Sequence, residues 1–116
     1  KVNVKDSLTS KSTVTALTDA ASTLTGAQLI GGIFTITPTV ARILTTDTGT
    51  AIVAALPAGN VDGSSYVFTV VSLAAFDVSL AAGVDVTLVG NLIANNVSAS
   101  FKVVRNTATT VTIYRM

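Results

Sequence analysis

Alternation of apolar and polar residues with a period of two runs through most of this chain and constrains its fold more than any other feature. It begins near Leu24 and is clearest over residues 33–37, 66–71, 84–88, 97–103 and 111–114. A β-strand points successive side chains to opposite faces, so this period is typical of strands that bury one face. Phe34, Phe68 and Phe101 fall on the apolar faces and are predicted core residues. Residues 66–71 are apolar at nearly every position, which predicts a strand buried on both faces.

The segments between these strands carry the chemistry of tight turns. Gly and Asn accept positive φ, and they occur at Gly59-Asn60, Asp62-Gly63, Gly83, Gly90-Asn91 and Asn106. Short strands separated by turns at intervals of roughly 8–12 residues predict an all-β sandwich or barrel. One short helix is predicted near residues 48–56, because Asp47 and Thr48 can start it and Pro57 ends it. Residues 26–30 could add one further helical turn.

The first 22 residues differ from the rest of the chain, since they are polar, rich in Ser and Thr, and contain three of the four Lys. We predict an extended N-terminal arm over residues 1–22 and a β-sandwich domain over residues 23–116. The arm is hypothesised to become ordered on a partner, and a frayed terminus is the alternative. The predicted partner-contact residues are Lys1, Val2, Val4, Lys5, Leu8 and Lys11.

Charge is scarce in this sequence, because only 11% of the residues are charged while 49% are hydrophobic. A small domain buries a limited fraction of its surface, and oligomer interfaces are depleted in charge. The composition therefore predicts an oligomer, with a monomer that has a Thr-rich exterior as the alternative. The net charge is +1 and the cations are scattered, which predicts no nucleic-acid partner. The uncharged stretch over residues 20–41 alternates and contains Gly and Pro, so we predict no membrane-spanning helix and no membrane partner.

Catalytic chemistry is restricted by the absence of His and Cys, which excludes imidazole and thiol mechanisms. Asp77 and Asp85 lie on the polar sides of two predicted strands and could face each other across a hairpin. Like charges directly opposite are unfavourable, so we predict no enzyme built on this pair. The segment from Asn60 to Gly63 resembles the middle of an EF-hand loop, but both ends of that pattern fail. We therefore predict a β-turn there, with no metal and no cofactor.

Four segments of the chain carry a resemblance to a known family. They are TLTGAQLIGG (23–32), AIVAALPAGNVDGSSYVFTVV (51–71), SLAAGVDVTLVGN (79–91) and SASFKVVRNTATTVTIYRM (98–116). Together they resemble small β-rich virion proteins of tailed bacteriophages, namely capsid decoration (cement) proteins and head-fibre domains. One departure is Asp62-Gly63-Ser64, which stands where the pattern has Gly-Asp-Ser.

The resemblance implies an antiparallel β-sandwich, jelly-roll-like, that assembles as a homotrimer on the outer capsid surface of the virion. It implies that the partners are copies of the chain itself and the major capsid protein, whose shell the trimer would stabilise. The alternative is a receptor-binding fibre or spike domain that recognises host surface glycans. Exposed aromatic residues beside Asp and Asn in loops would favour that alternative, and Tyr114 is one candidate.

Overall fold

The chain forms strands in two sheets and two short helices, as seen in a computed structural model that describes residues 13–90, 92–93 and 97–116. The elements follow in this order: β1 (Thr13–Ala16), β2 (Ser22–Leu24), α1 (Gly26–Leu29), β3 (Gly32–Ile36), β4 (Arg42–Thr46), α2 (Gly49–Ala55), β5 (Ser65–Ser72), β6 (Val78–Ala81), β7 (Val86–Val89), β8 (Leu92–Ile93), β9 (Ser98–Arg105) and β10 (Val111–Arg115).

Successive strands in the first two-thirds of the chain alternate between the two sheets. The six-stranded sheet has the order β1-β3-β5-β9-β10-β7, and the four-stranded sheet has the order β2-β4-β6-β8. Strands β1, β3 and β5 are parallel neighbours in one sheet, while β2, β4 and β6 are parallel neighbours in the other. The chain therefore winds from sheet to sheet and adds one strand to each sheet per turn.

The later strands complete the two sheets with mixed directions. Strand β9 pairs antiparallel with β5, and β10 pairs antiparallel with β9. Strand β7 is parallel to β10 at the far edge of the six-stranded sheet. In the four-stranded sheet, β8 pairs antiparallel with β6.

The expected all-β, antiparallel, jelly-roll-like sandwich is wrong, because the chain is a mixed α/β structure in which parallel pairing connects its first six strands. Alternation identifies the two faces of a strand but not its neighbours. The turns over residues 17–21, 37–41 and 73–77 were compatible with hairpins, yet each of them leads from one sheet to the other. The helix predicted near residues 48–56 is present as α2, and a second helix, α1, precedes β3.

One hydrophobic core receives side chains from both sheets. Phe34, Phe68 and Phe101 come from three neighbouring strands of the six-stranded sheet and are at most 1% exposed, which confirms their predicted place. Phe68 meets Phe34 edge-on at 6.1 Å between ring centroids and stacks on Phe101 at 5.2 Å. Both arrangements are favourable aromatic geometries. Leu44 and Leu80 reach the same core from the four-stranded sheet.

Both helices lie in connections that return the chain from the four-stranded to the six-stranded sheet. Thr25 caps α1 and Thr48 caps α2, each through a side-chain oxygen that accepts a hydrogen bond from a backbone N–H in the first turn. Gly26 lets the helices approach closely, because a Cβ there would lie 2.6 Å from the carbonyl oxygen of Ala51. Neither helix is long and apolar enough to cross a membrane, as far as the described residues go.

Candidate functional site

The predicted partner-contact residues lie outside the part of the chain that the structure describes. They are Lys1, Val2, Val4, Lys5, Leu8 and Lys11. The remainder of the predicted arm, residues 13–22, supplies β1 at one edge of the six-stranded sheet and the start of β2 at one edge of the four-stranded sheet. Any contact surface that can be described therefore lies on the sheets and their loops.

The face of the six-stranded sheet that points away from the core is formed largely by apolar and hydroxyl side chains. The strand register sets one row of side chains across β5, β9, β10 and β7: Val67, Lys102, Tyr114 and Val89. Val67, Tyr114 and Val89 are 41%, 44% and 50% exposed. The predicted exposure of Tyr114 is thus confirmed, and Lys102 is the single charged residue of this row.

A second row crosses the same face over β1, β3, β5 and β9. It consists of Val14, Ile33, Thr69 and Ser100. The hydroxyls of Thr69 and Ser100 share a hydrogen bond of 2.9 Å, so each hydroxyl has a partner within the chain. We call the two rows together the outer sheet face. It crosses all six strands and carries one charge, and its residues are exposed except for Ile33, Thr69 and Ser100, which are half-buried.

Strand β5 was expected to be buried on both faces, and this expectation is wrong. Phe68 and Val70 are buried, whereas Val67 is exposed and Val71 is half-buried on the opposite side. The sequence of β5 is thus more apolar than burial within a single chain requires.

A shallow cleft of about 290 Å³ lies where the chain leaves α2 and enters β5, and residues from Pro57 to Asn60 and from Ser64 to Tyr66 line it. Two consecutive turns form the loop, one closed by a hydrogen bond from Asn60 N to Pro57 O and the other by one from Ser64 N to Val61 O. Gly59 and Gly63, the third residues of these turns, have positive φ of 85° and 93°, as type II turns require. The β-turn predicted at Asn60–Gly63 is therefore confirmed in kind, with its closing bond at Val61–Ser64.

Arg105, at the end of β9, holds this loop in place through contacts of its guanidinium group with Asn60 and Asp62. Its Nη1 donates to the backbone oxygen of Asn60 at 3.0 Å and also to the side-chain oxygen of the same residue. Its Nε lies 3.1 Å from a carboxylate oxygen of Asp62. The sequence does not show that Arg105 and Tyr66 lie at the same loop, because their strands meet only through the β5–β9 pairing.

A second polar cluster joins the turn before β2 to the turn before β4. The Asp19 carboxylate accepts hydrogen bonds from Arg42 Nε at 2.8 Å, from the Thr39 hydroxyl at 2.6 Å and from the Thr39 backbone N–H at 3.2 Å. These bonds favour the ionised form, Arg42 most strongly, and lower the pKa of Asp19 to about 2. The cluster uses its donors and acceptors internally, which is typical of a structural ion pair.

Asp77 and Asp85 do not face each other across a hairpin. Asp77 precedes β6 in the four-stranded sheet, whereas Asp85 precedes β7 in the six-stranded sheet. The structure therefore does not bring the two carboxylates together. Over the described ranges there is also no group of three or more acidic, His or Cys residues that could hold a metal ion.

Comparison with known proteins gives no relative to guide the assignment. No protein-family model, no curated protein and no solved structure matches this chain. The surfaces described above are therefore the basis for a functional proposal.

Proposed function

We propose that this chain is a structural virion protein, a capsid decoration or cement protein. In this proposal it forms a homotrimer and binds the outer surface of the major capsid protein shell, which it stabilises. No catalytic step is part of its function. The expected jelly-roll fold is wrong, so the proposal does not rest on the fold. The observation that carries it is the outer sheet face, with the family resemblance giving the trimer and the capsid partner.

The outer sheet face has the composition of a subunit interface. Interface cores are depleted in charge and enriched in aromatic residues, and this face offers exposed Val67, Val89 and Tyr114 around a single Lys102. Six strands spaced about 4.8 Å apart give a width of roughly 25–30 Å. The strands are four to eight residues long, so the face covers roughly 500–600 Å². Residues at its edges would have to add to the contact to reach the roughly 800 Å² per partner that stable interfaces bury.

A second copy of the chain is the occupant that fits this face best. In a threefold ring, one part of this face on each copy meets a different part of the same face on the next copy, so the copies of Lys102, which lies on the interior strand β9, do not stand opposite one another. A strongly acidic or basic partner would gain little electrostatic attraction from a face that carries one charge. Trimers bound across the boundaries between capsomers would bury additional surface there. This added contact would stabilise the shell against outward pressure.

The substitution Val67→Glu tests self-association. The introduced carboxylate would lie beside Lys102, so the folded subunit tolerates it, but an interface would have to remove both charges from water. We expect the wild-type chain to sediment at three times its 11.7 kDa mass. We expect Val67→Glu to weaken association at least tenfold, as measured by analytical ultracentrifugation over a concentration series.

The matched control is Ile43→Glu, which changes a β-branched residue that is 54% exposed on the four-stranded sheet. It adds the same charge to a strand outside the proposed interface and should leave the trimer intact. A wild-type monomer at high concentration, or equal effects of both substitutions, would contradict the proposal. Capsid binding is the second part of the proposal. It is tested by measuring whether the chain binds shells of the major capsid protein in copy numbers that match capsomer symmetry.

A further inference from the structure

We propose that Lys102 decides how copies of the outer sheet face meet, because it excludes a symmetric face-to-face dimer and leaves the threefold ring. This inference rests on the proposed self-association and names the residue that determines its specificity. It follows from the place of Lys102 on the face, from the lack of an opposite charge around it, and from the symmetry of the two contacts.

Lys102 lies close to the middle of the outer sheet face. The strand order β1-β3-β5-β9-β10-β7 puts the middle of the sheet between β5 and β9. Lys102 is exposed and is the fifth of the eight residues of β9. Because neighbouring strands lie about 4.8 Å apart, β9 runs only about 2–3 Å from the line that halves the sheet.

The neighbours of Lys102 on this face are uncharged. Val67 on β5 and Tyr114 on β10 stand directly opposite it, and Ser100 and Val104 flank it along β9. The ion pairs found in the described part of the chain involve arginine, and Lys102 has no carboxylate partner there. Its positive charge is therefore not cancelled by any described residue of the face.

A face-to-face dimer would bring two copies of Lys102 together. In a two-fold contact the same patch of both subunits meets, so a residue near the axis meets its own copy. With the axis through the middle of the face, the two β9 strands would be offset sideways by at most about 4.8 Å, and the sheets would lie about 10 Å apart. Both ammonium groups would then lose water in the same gap with no counter-charge, which disfavours this dimer.

The threefold ring avoids this contact between like charges. Its interface joins two different parts of the face, so Lys102 of one copy meets uncharged groups of the next copy. These groups include the hydroxyls of Thr69, Ser100 and Tyr114, and hydroxyl oxygens accept hydrogen bonds from an ammonium group. In coiled coils, one polar residue in an apolar seam likewise selects the number of subunits at a cost in stability.

Removing the charge tests this role. Lys102→Met puts an apolar side chain of similar length in its place, so we expect dimers to form and association to be about tenfold tighter than in the wild type. Native mass spectrometry gives the stoichiometry, and analytical ultracentrifugation over a concentration series gives the affinity. The matched control is Lys102→Arg, which keeps the charge and should remain trimeric. A Lys102→Met variant that forms trimers alone would overturn the inference.

Reversing the charge gives a second test that adds no apolar surface. Lys102→Glu alone would place two carboxylates across the two-fold axis, so it should form no dimer. An equimolar mixture of Lys102→Glu and wild type should form a mixed dimer, because opposite charges then face each other. Native mass spectrometry identifies this species when one of the two chains is ¹⁵N-labelled. Absence of the mixed dimer would contradict the role of Lys102.

The same measurements separate this inference from the proposed function. A trimeric wild type whose variants and mixture also form only trimers would overturn the role of Lys102 and leave the proposed trimer standing. A wild type, a Lys102→Met variant and a mixture that all stay monomeric would overturn self-association itself. A wild type that already forms dimers would overturn both.

Discussion

Asp19 is a partly exposed loop residue that joins segments far apart in the sequence. Its carboxylate binds Thr39 and Arg42, which come from the next turn of the winding chain. The sequence places Asp19 in a polar segment and gives no sign of these partners, because they lie 20 and 23 residues away. The ion pair is partly exposed, with 25% of the Arg42 side chain and 29% of the Asp19 side chain accessible to solvent.

The lowered pKa of Asp19 predicts a pH dependence of stability. Its value falls from 3.8 to about 2 on folding, so the unfolded chain binds the proton more tightly. The stabilisation is therefore fully present above pH 3.8 and is lost as the pH falls towards 2. We expect Asp19→Asn to lower the melting temperature at pH 7, and we expect the difference from wild type to shrink below pH 4, as followed by circular dichroism.

Asp85→Asn is the matched control for this pH series. Asp85 adopts a positive φ of 62°, which Asn also accepts, and its carboxylate forms no hydrogen bond or ion pair among the described residues. Its substitution should change the melting temperature little across the same pH range. An Asp19→Asn deficit that stays constant down to pH 2 would show that the ion pair is not its source.

At the scale of elements, the two helices depend on each other although each begins with a local signal. Thr25 and Thr48 are caps that the sequence displays, and Pro57 marks where α2 must end. Their contact is not visible in the sequence. It requires Gly26, because no side chain fits between α1 and the backbone of Ala51.

Gly26→Ala tests this helix contact. The added Cβ would lie 2.6 Å from Ala51 O and 3.0 Å from its carbonyl carbon, and neither backbone atom can move away independently. Overpacking of this kind costs about 1–3 kcal/mol, whereas Ala gains at most about 1 kcal/mol over Gly in helix propensity. The clash should prevail, so we expect a net loss of about 1–2 kcal/mol in unfolding free energy by urea denaturation.

Ala27→Leu provides the comparison within the same helix. Ala27 is exposed, so a larger side chain there extends into solvent and should change stability by less than about 0.5 kcal/mol. If Gly26→Ala were as well tolerated as Ala27→Leu, the close approach of α1 and α2 would not hold in solution.

At the scale of the whole molecule, the winding of the chain places some strands inside the six-stranded sheet, with a paired strand on each side, and others at its edges. Strand β5 has neighbours on both sides, β3 and β9, whereas β1 pairs only with β3 among the residues that the structure describes. Strand β1 is also exposed along most of its length, while β5 contributes Phe68 and Val70 to the core.

Native-state hydrogen exchange should show weaker amide protection in the edge strand β1 than in the interior strands. We expect β1 amides to exchange through local opening at a small free energy, and β5 and β9 amides to approach the global unfolding value, about 5–15 kcal/mol. Amide exchange followed by NMR measures both classes in one experiment. Equal protection of β1 and β5 would contradict the arrangement in which β1 is an edge strand.

The sequence by itself determined the features that depend on neighbouring residues. Alternation identified most strands and the inward side of Phe34, Phe68 and Phe101, while a Thr cap and a Pro stop located α2. Only the tertiary structure decided which strands pair and in which direction, and this overturned the antiparallel sandwich. It also decided that Arg105 fixes the Asn60 loop and that the second side of β5 stays exposed. The physical reason is that periodicity records the two environments of one strand, whereas pairing depends on residues far apart in the chain.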